Sequence, residues 1–281
     1  MPTDPDFRPL PMPTPTSFRY EERDRVGIIT LDRPDRFNAL TFQVYRELTD
    51  LFKVLDRRSL DPEGARTVVL RGEGKAFCSG GDVSDIITRL FERDMEGMLR
   101  FTRMTGELIH AIRRCQLPVV ASVKRVAAGA GAVMALASDL RVMGERSFFS
   151  FLFPQVGLSG ADMGASYLLP RVVGLGIASE ILLLGDRVPA ARCQTIGLAN
   201  QVVPDDPPER VDEAAFELAA RIARGPLFAN RMTKTMLQRE LDMTFDDSIE
   251  AEAQAQAICM EHPDFREAND AWSQKRDPQW R

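Results

Sequence analysis

The sequence predicts an α/β fold with a helical extension, on three observations. Apolar, β-branched runs alternate with segments of helical periodicity, small-residue loops follow two of those runs, and the pattern after Pro189 is almost wholly helical. Val26–Leu31 reads as a buried strand and residues 33–38 as the turn leaving it. Thr41 then starts an amphipathic helix with Val44, Leu48, Leu51, Phe52 and Leu55 on one face. Residues 67–70 form a second strand that runs into the loop 72–81. A long helix is expected over 94–115, stopping before Pro118, and Val119–Val123 is a third strand. A Gly/Ala segment and a short apolar helix ending near Asp139 follow. Residues 140–143 and the Phe-rich stretch 148–153 read as further short strands. Helices are expected over 189–196, 209–224, 227–239, 245–261 and 264–275. The expected organisation is a flexible, proline-rich tail (1–17), an α/β core (18–205) and a helical C-terminal region (206–281) that packs on the core and on neighbouring subunits.

Composition narrows the function classes. Apolar residues make up 44% and charged residues 27%, ordinary for a soluble globular chain. A formal net charge of −5 argues against a nucleic-acid partner, because duplex affinity comes largely from Lys and Arg. The longest apolar run, 126–137, is too short to span a bilayer. The start lacks both a secretion signal and an Arg-rich transit pattern, so a cytoplasmic location without membrane association is expected. Cys78, Cys115, Cys193 and Cys259 form no C-x-x-C pair and read as reduced thiols. Two histidines, His110 and His262, exclude a multi-histidine metal site and leave a Ser–His–Asp mechanism resting on one of them. Arg221, Arg224, Arg231 and Lys234, with Glu209, Glu213 and Glu217 nearby, read as a solvated helix face rather than an RNA patch.

Two loops stand out. Residues 77–82 (FCSGGD) and 127–132 (AAGAGA) each follow a buried strand and lead towards a helix. Small residues let a ligand approach the backbone, and N–H groups at a helix start point outward without partners. Such groups can hold an anion or a developing oxyanion, although tight turns and close packing would select the same residues. Asp82 and Asp85 read as helix caps, and Asp139 as an anchor for backbone.

In order and spacing, residues 31–40 (LDRPDRFNAL), 74–82 (GKAFCSGGD), 126–139 (VAAGAGAVMALASD), 167–174 (YLLPRVVG) and 190–203 resemble the crotonase superfamily of enoyl-CoA hydratases and isomerases. The resemblance runs from about Phe18 to Arg276. It implies a spiral of ββα repeats with a helical C-terminal trimerisation region, assembled as a homotrimer or a hexamer of two trimers. It also implies an acyl-CoA thioester substrate and an oxyanion hole built from the N–H groups of Gly81 and Ala130. CoA would lie near Arg36, the backbone around Ala76, Cys78 and Asp82, and Lys275, although Arg36 and Lys275 singly read as solvated charges. No cofactor is implied beyond the CoA that is part of the substrate. The two glutamates of the best-known hydratases fall on Val133 and Phe153, neither of which can move a proton. Asp162 falls on the aspartate of dienoyl-CoA isomerases and ring-modifying isomerases, and on the nucleophile of the dehalogenase branch. The expectation is therefore double-bond isomerisation or hydration with Asp162 as acid/base. Hydrolase or dehalogenase-type chemistry with Asp162 as nucleophile, and a non-catalytic acyl-CoA-binding scaffold, stay open. An expected helix over 163–171 also makes Asp162 a candidate N-cap. The helix start would then favour its ionised form, while the Phe-rich wall at 148–153 would oppose it by desolvation.

Overall fold

A computed structural model describes residues 11–61 and 63–281. Residues 1–10 of the expected tail therefore lie outside the described residues. At the other end of that segment, Thr16 and Ser17 donate to the Glu47 carboxylate at 2.7–3.0 Å, which ties the chain down before the first strand.

The chain opens with a hairpin of β1 (Phe18–Arg23) and β2 (Val26–Leu31), closed by Asp24 and Arg25, both left-handed. β1 escaped the sequence reading because FRYEER is polar and buries only Phe18, the profile of a charged sheet edge. Next come α1 (Phe42–Arg58), β3 (Thr67–Gly72), a π turn over 83–87 continuing into α2 (Thr88–Leu90), and α3 (Met95–Arg114). β4 (Val119–Val123), β5 (Val126–Ala128), α4 (Ala130–Ala137), β6 (Leu140–Gly144) and β7 (Phe148–Ser150) follow. The remainder is α5 (Ala165–Val173), α6 (Leu175–Leu184), β8 (Arg187–Pro189), α7 (Ala190–Thr195), β9 (Gln201–Val203), and helices α8 (Glu209–Ala223), α9 (Leu227–Arg239), α10 (Phe245–Glu261) and α11 (Pro263–Gln274).

The main sheet has the order β1-β2-β3-β4-β6-β9, antiparallel only at its first pair. Its central strands β2, β3 and β4 are buried on both faces along nearly their whole length, so alternate residues enter different cores. Val26, Ile28, Val69, Val120 and Val142 pack on α8 through Val211, Ala215, Leu218 and Ala219. Ile29, Leu31, Val68, Leu70, Val119 and Ala121 face the larger core beneath α1, α3 and α4. A buried Lys124–Asp212 pair at 2.7 Å, with the Ser122 hydroxyl donating to the same carboxylate at 2.6 Å, pins α8 to β4.

A second layer explains the spiral. β5, β7 and β8 form a three-stranded sheet, and parallel bridges Leu40–Gly81 and Cys78–Ala127 extend its pairing through the loops after β2 and β3. Each long strand of the main sheet is thus followed by a short segment of the second layer and then by a helix: β2, 38–40, α1; β3, 78–81, the helices after Asp82; β4, β5, α4; β6, β7, α5. This is a spiral of ββα repeats.

Three local expectations change. The Phe-rich strand is only β7, and Phe153–Val156 is a 3-10 turn. The helix expected from 163 begins at Ala165. Of the four cations expected on a solvated face, Arg221 and Arg224 are exposed, but those on α9 are not: Lys234 is buried against Asp139 at 2.6 Å and the Leu117 carbonyl at 2.8 Å, and half-buried Arg231 donates to Gln116 and to the Ser59 carbonyl. Helical periodicity shows where a cation lies on its own helix, not what the neighbouring loop brings to it. Among the described residues, no helix is long and apolar enough to cross a membrane.

Candidate active site

The two small-residue turns meet. Cys78 donates its N–H to the Val126 carbonyl at 3.0 Å and accepts from Ala128 N–H at 3.0 Å, so the first turn is stitched to β5. Gly80, at φ +101°, and Gly129, at φ +49°, occupy backbone conformations that L side chains rarely adopt. They also lie close together: a methyl on Gly80 would stand 3.0 Å from the Ala128 carbonyl oxygen and 3.6 Å from Ala130 N, and one on Gly129 would stand 3.9 Å from Gly80 Cα.

Hydrogen bonding leaves Gly81 N–H free in the first turn and the leading amides of α4, from Ala130 on, free in the second. Leu40 N–H donates to the Gly80 carbonyl and Asp82 N–H to the Leu40 carbonyl, both at 2.8 Å. Gly81 N–H, between them, points away from Leu40 and has no acceptor among the described residues. Gly129 N–H is taken by the Ser150 carbonyl at 2.9 Å, and Val133 N–H closes the first helical turn on Gly129. Ala130 N–H, at the first position of α4, has no acceptor either. Every residue of α4 is buried, which fixes the helix start relative to the first turn.

Asn38 clamps the region from the other side. Its side chain accepts from Arg33 N–H at 3.0 Å and donates to the carbonyls of Glu73 and Ala76 at 3.0 and 2.8 Å. Sequence reasoning did not single it out. Its signal was an Asn in a turn, a residue type that tolerates the left-handed φ of +57° found here.

The cofactor-side candidates divide. Arg36 is exposed beside the first turn, and its carbonyl accepts from the Ser79 hydroxyl at 3.3 Å. The backbone groups of Cys78, the Asp82 N–H and the Ala76 carbonyl are already engaged within the fold. The Asp82 carboxylate caps the π turn through Ser84 and Asp85 N–H at 2.9 and 3.0 Å and pairs with Arg33 at 2.9 Å, which holds it below its usual range. Asp85 is not a second cap: it accepts from Phe42 N–H at 3.2 Å. Lys275 is exposed at the end of α11, left-handed at φ +53°, and no hydrogen bond or ion pair joins it to the turns.

Val133 is fully buried and Phe153 nearly so, giving an apolar wall with Phe149 and Phe151 stacked at 6.1 Å. Asp162 is half-buried and does not cap α5. Met163 (φ +48°) and Gly164 (φ +88°) are both left-handed, and Gly164 takes the cap position without a side-chain bond. The Asp162 main chain accepts from Ala165 N–H at 2.8 Å, while its carboxylate is raised by desolvation, opposed only by the Met163 N–H. A strained, buried Met163 beside a carboxylate freed from capping is a backbone feature of the kind that collects at functional sites. Tyr45, also passed over by the sequence reading, is 2% exposed, makes no hydrogen bond through its hydroxyl, and is pushed up by burial and by the nearby Cys78 and Asp162. A cavity of about 600 Å³ against β5, β7 and β8 includes Ala128, Ser150 and Arg187 in its lining but neither free amide nor Asp162.

This geometry can be set beside known proteins. The family model described as Enoyl-CoA hydratase/isomerase matches residues 21–281. The chain belongs to the enoyl-CoA hydratase/isomerase family. Within this family, the crotonase superfamily, a Streptomyces coelicolor A3(2) crystal structure labelled provisionally as an enoyl-CoA hydratase is 47% identical. It covers 97% of this chain and 96% of its own, with a TM-score of 0.92. An enoyl-CoA hydratase structure from Polaromonas sp. JS666 is 29% identical, covering 94% of this chain and 99% of its own at a TM-score of 0.86. The 1,2-epoxyphenylacetyl-CoA isomerase of Escherichia coli K12 is 30% identical over 255 residues, 91% of this chain and 94% of that protein. The family fold accounts for the spiral and the meeting turns.

Proposed function

We propose that this protein isomerises a double bond in an unsaturated acyl-CoA. The thioester carbonyl binds between Gly81 N–H and Ala130 N–H, and Asp162 moves the proton. The carboxylate takes a proton from the acyl chain, and the released electron pair shifts onto the carbonyl oxygen as an enolate held by the two amides. The resulting carboxylic acid returns the proton at a different carbon, so the double bond moves without uptake of water. The thioester is the electron sink, and this chemistry calls for no metal or redox cofactor. The Ala130 methyl narrows the space beside the thioester without removing the N–H.

The observation that carries this reading is the combination of two unengaged amides in touching turns with one desolvated carboxylate, where Val133 and Phe153 cannot move protons. Relatives carry both hydratase and isomerase names, so the choice of isomerisation over hydration rests on Val133 and Phe153. Arg36 beside the first turn, and Lys275 from a neighbouring subunit, would bind the CoA phosphates. A homotrimer or hexamer suits the exposed apolar side chains of the C-terminal helices, among them Leu237, Phe245, Ile249, Ile258 and Trp272. A cytoplasmic location suits the four free thiols.

Purified protein incubated with 2-enoyl-, 3-enoyl- and dienoyl-CoA in deuterated water tests the assignment. Deuterium at the α or γ carbon without hydration supports isomerisation. A 3-hydroxyacyl product replaces it with hydration, and CoA binding without turnover replaces it with a scaffold.

A further inference from the structure

The end of α4 opposite to Ala130 holds a buried cation. Arg141, 5% exposed, directs Nη1 at the carbonyls of Ser138, Leu136 and Ala135 at 2.6, 3.4 and 3.5 Å, and Nε at the Leu198 carbonyl at 2.7 Å. Carbonyls at a helix end have no intrahelical donor, and here a guanidinium supplies one. Burial pulls Arg141 down to about 10, so it remains charged at neutral pH. Around it, Asp139 attracts and Arg113 repels, while Asp139 is itself paired with Lys234 at 2.6 Å. The net charge of the Arg141, Lys234 and Asp139 group is therefore positive.

The geometry points to Arg141 as a positioning residue for the oxyanion site: by neutralising the C-terminal carbonyls of α4, it leaves the positive N-terminal end of that helix unopposed at Ala130 N–H. The inference rests on the reading of Gly81 and Ala130 given above. A helix of eight residues is about 12 Å long. A unit charge roughly 15 Å from the oxyanion, at an effective dielectric of about 20, changes its stability by roughly five- to tenfold in equilibrium. The cap acts in the same direction, because the macrodipole's negative end is compensated where it would otherwise weaken the field at the positive end. The same residue also staples α4 to the 198–200 turn, so loss of thermal stability on substitution does not distinguish the two roles. The ionisation of a bound enol does.

Acetoacetyl-CoA, whose enolate absorbs in the near ultraviolet, serves as the probe, titrated with pH when bound to the wild type and to variants. The wild type lowers the enol pKa relative to free acetoacetyl-CoA. Arg141→Gln, which keeps donors to the carbonyls but not the charge, raises the bound value by about 0.7 to 1, matching the five- to tenfold expectation. Arg141→Lys stays within about 0.3 of wild type. Asp139→Asn, which removes the opposing charge while still accepting from Val119 N–H, moves the value the other way. No lowering by the wild type refutes the Gly81 and Ala130 reading itself. Lowering by the wild type with equal values in Arg141→Gln and Arg141→Lys overturns the role of Arg141 and leaves that reading standing. If Arg141→Gln does not fold, an unchanged value in Asp139→Asn overturns it as well.

Discussion

Asp82 and Asp162 stand at comparable places, each at the end of a loop that leads into a helical turn, and the chain treats them in opposite ways. Asp82 is saturated: two backbone N–H groups and Arg33 bind it, and its carboxyl is held low. Asp162 is left with a single backbone donor, is desolvated, and is held high. Two left-handed residues separate Asp162 from α5 and so deny it the cap that Asp82 makes. A carboxylate that fastens structure is satisfied by the fold, whereas one that moves protons is kept short of donors. The difference lies in the two residues that follow each aspartate, not in the aspartates.

The largest way to break the comparison is Asp162→Asn. Loss of the proposed base is expected to lower the isomerisation rate by about 10²- to 10⁴-fold, read as kcat on dienoyl- or 3-enoyl-CoA. The same variant should melt higher at neutral pH. A raised carboxyl favours folding only while protonated, so that contribution is present below the unfolded pKa and disappears as pH rises through the folded one. An amide removes the penalty. A variant of full activity would sink the assignment of Asp162.

Gly131→Ala attacks the junction instead. Its methyl would fall 2.4 Å from the Cys78 carbonyl oxygen and 2.7 Å from Cys78 Cβ, so the first turn and α4 must separate. A stability loss of about 1–3 kcal/mol by denaturant titration is expected, with activity falling because the two amides no longer share one oxygen. A variant as active and stable as the wild type would show that the turns need no fixed contact.

Asp82→Ala removes a 7%-exposed carboxylate and leaves two backbone N–H groups and Arg33 without their acceptor. About 1–3 kcal/mol of stability should be lost at pH 7. Because Asp82 is held low, its contribution is present above the unfolded pKa and is lost as pH falls through the folded one. Wild type and variant should therefore converge in acid, as urea midpoints measured from neutral pH downward would reveal.

Tyr45→Phe is the smallest change. It deletes a hydroxyl that makes no hydrogen bond within the fold, so stability should stay within about 1 kcal/mol of the wild type. A loss of more than that in thermal melts would mean that the hydroxyl is engaged in solution.

The elements most legible in the sequence were those whose periodicity matches their burial. β2, β4, α3 and the helices from α8 onward appear within a residue or two of their expected bounds, and in α1, α3 and α8 one face meets a core that its own pattern describes. Polar β1 and the three-residue strands β5, β8 and β9 carry no such pattern. Their existence depends on which backbone lies alongside. The glycine-rich turns were legible as turns, but whether their amides were free was not, since that follows from Leu40 and Ser150, remote in sequence.

By itself, the sequence determined the longer strands and helices and the two small-residue turns, which follow from residue type and spacing. The standing of Val133, Phe153 and Asp162 at the family's acid/base positions is what the resemblance implies. Only the tertiary structure decided that Gly80 lies close to Gly129, that Asp162 escapes the cap of α5, and that Lys234, Arg231 and Arg141 are anchored inside the fold. Each of these depends on which groups distant chain segments bring within hydrogen-bonding range and on what they exclude water from, and spacing along one chain does not encode either.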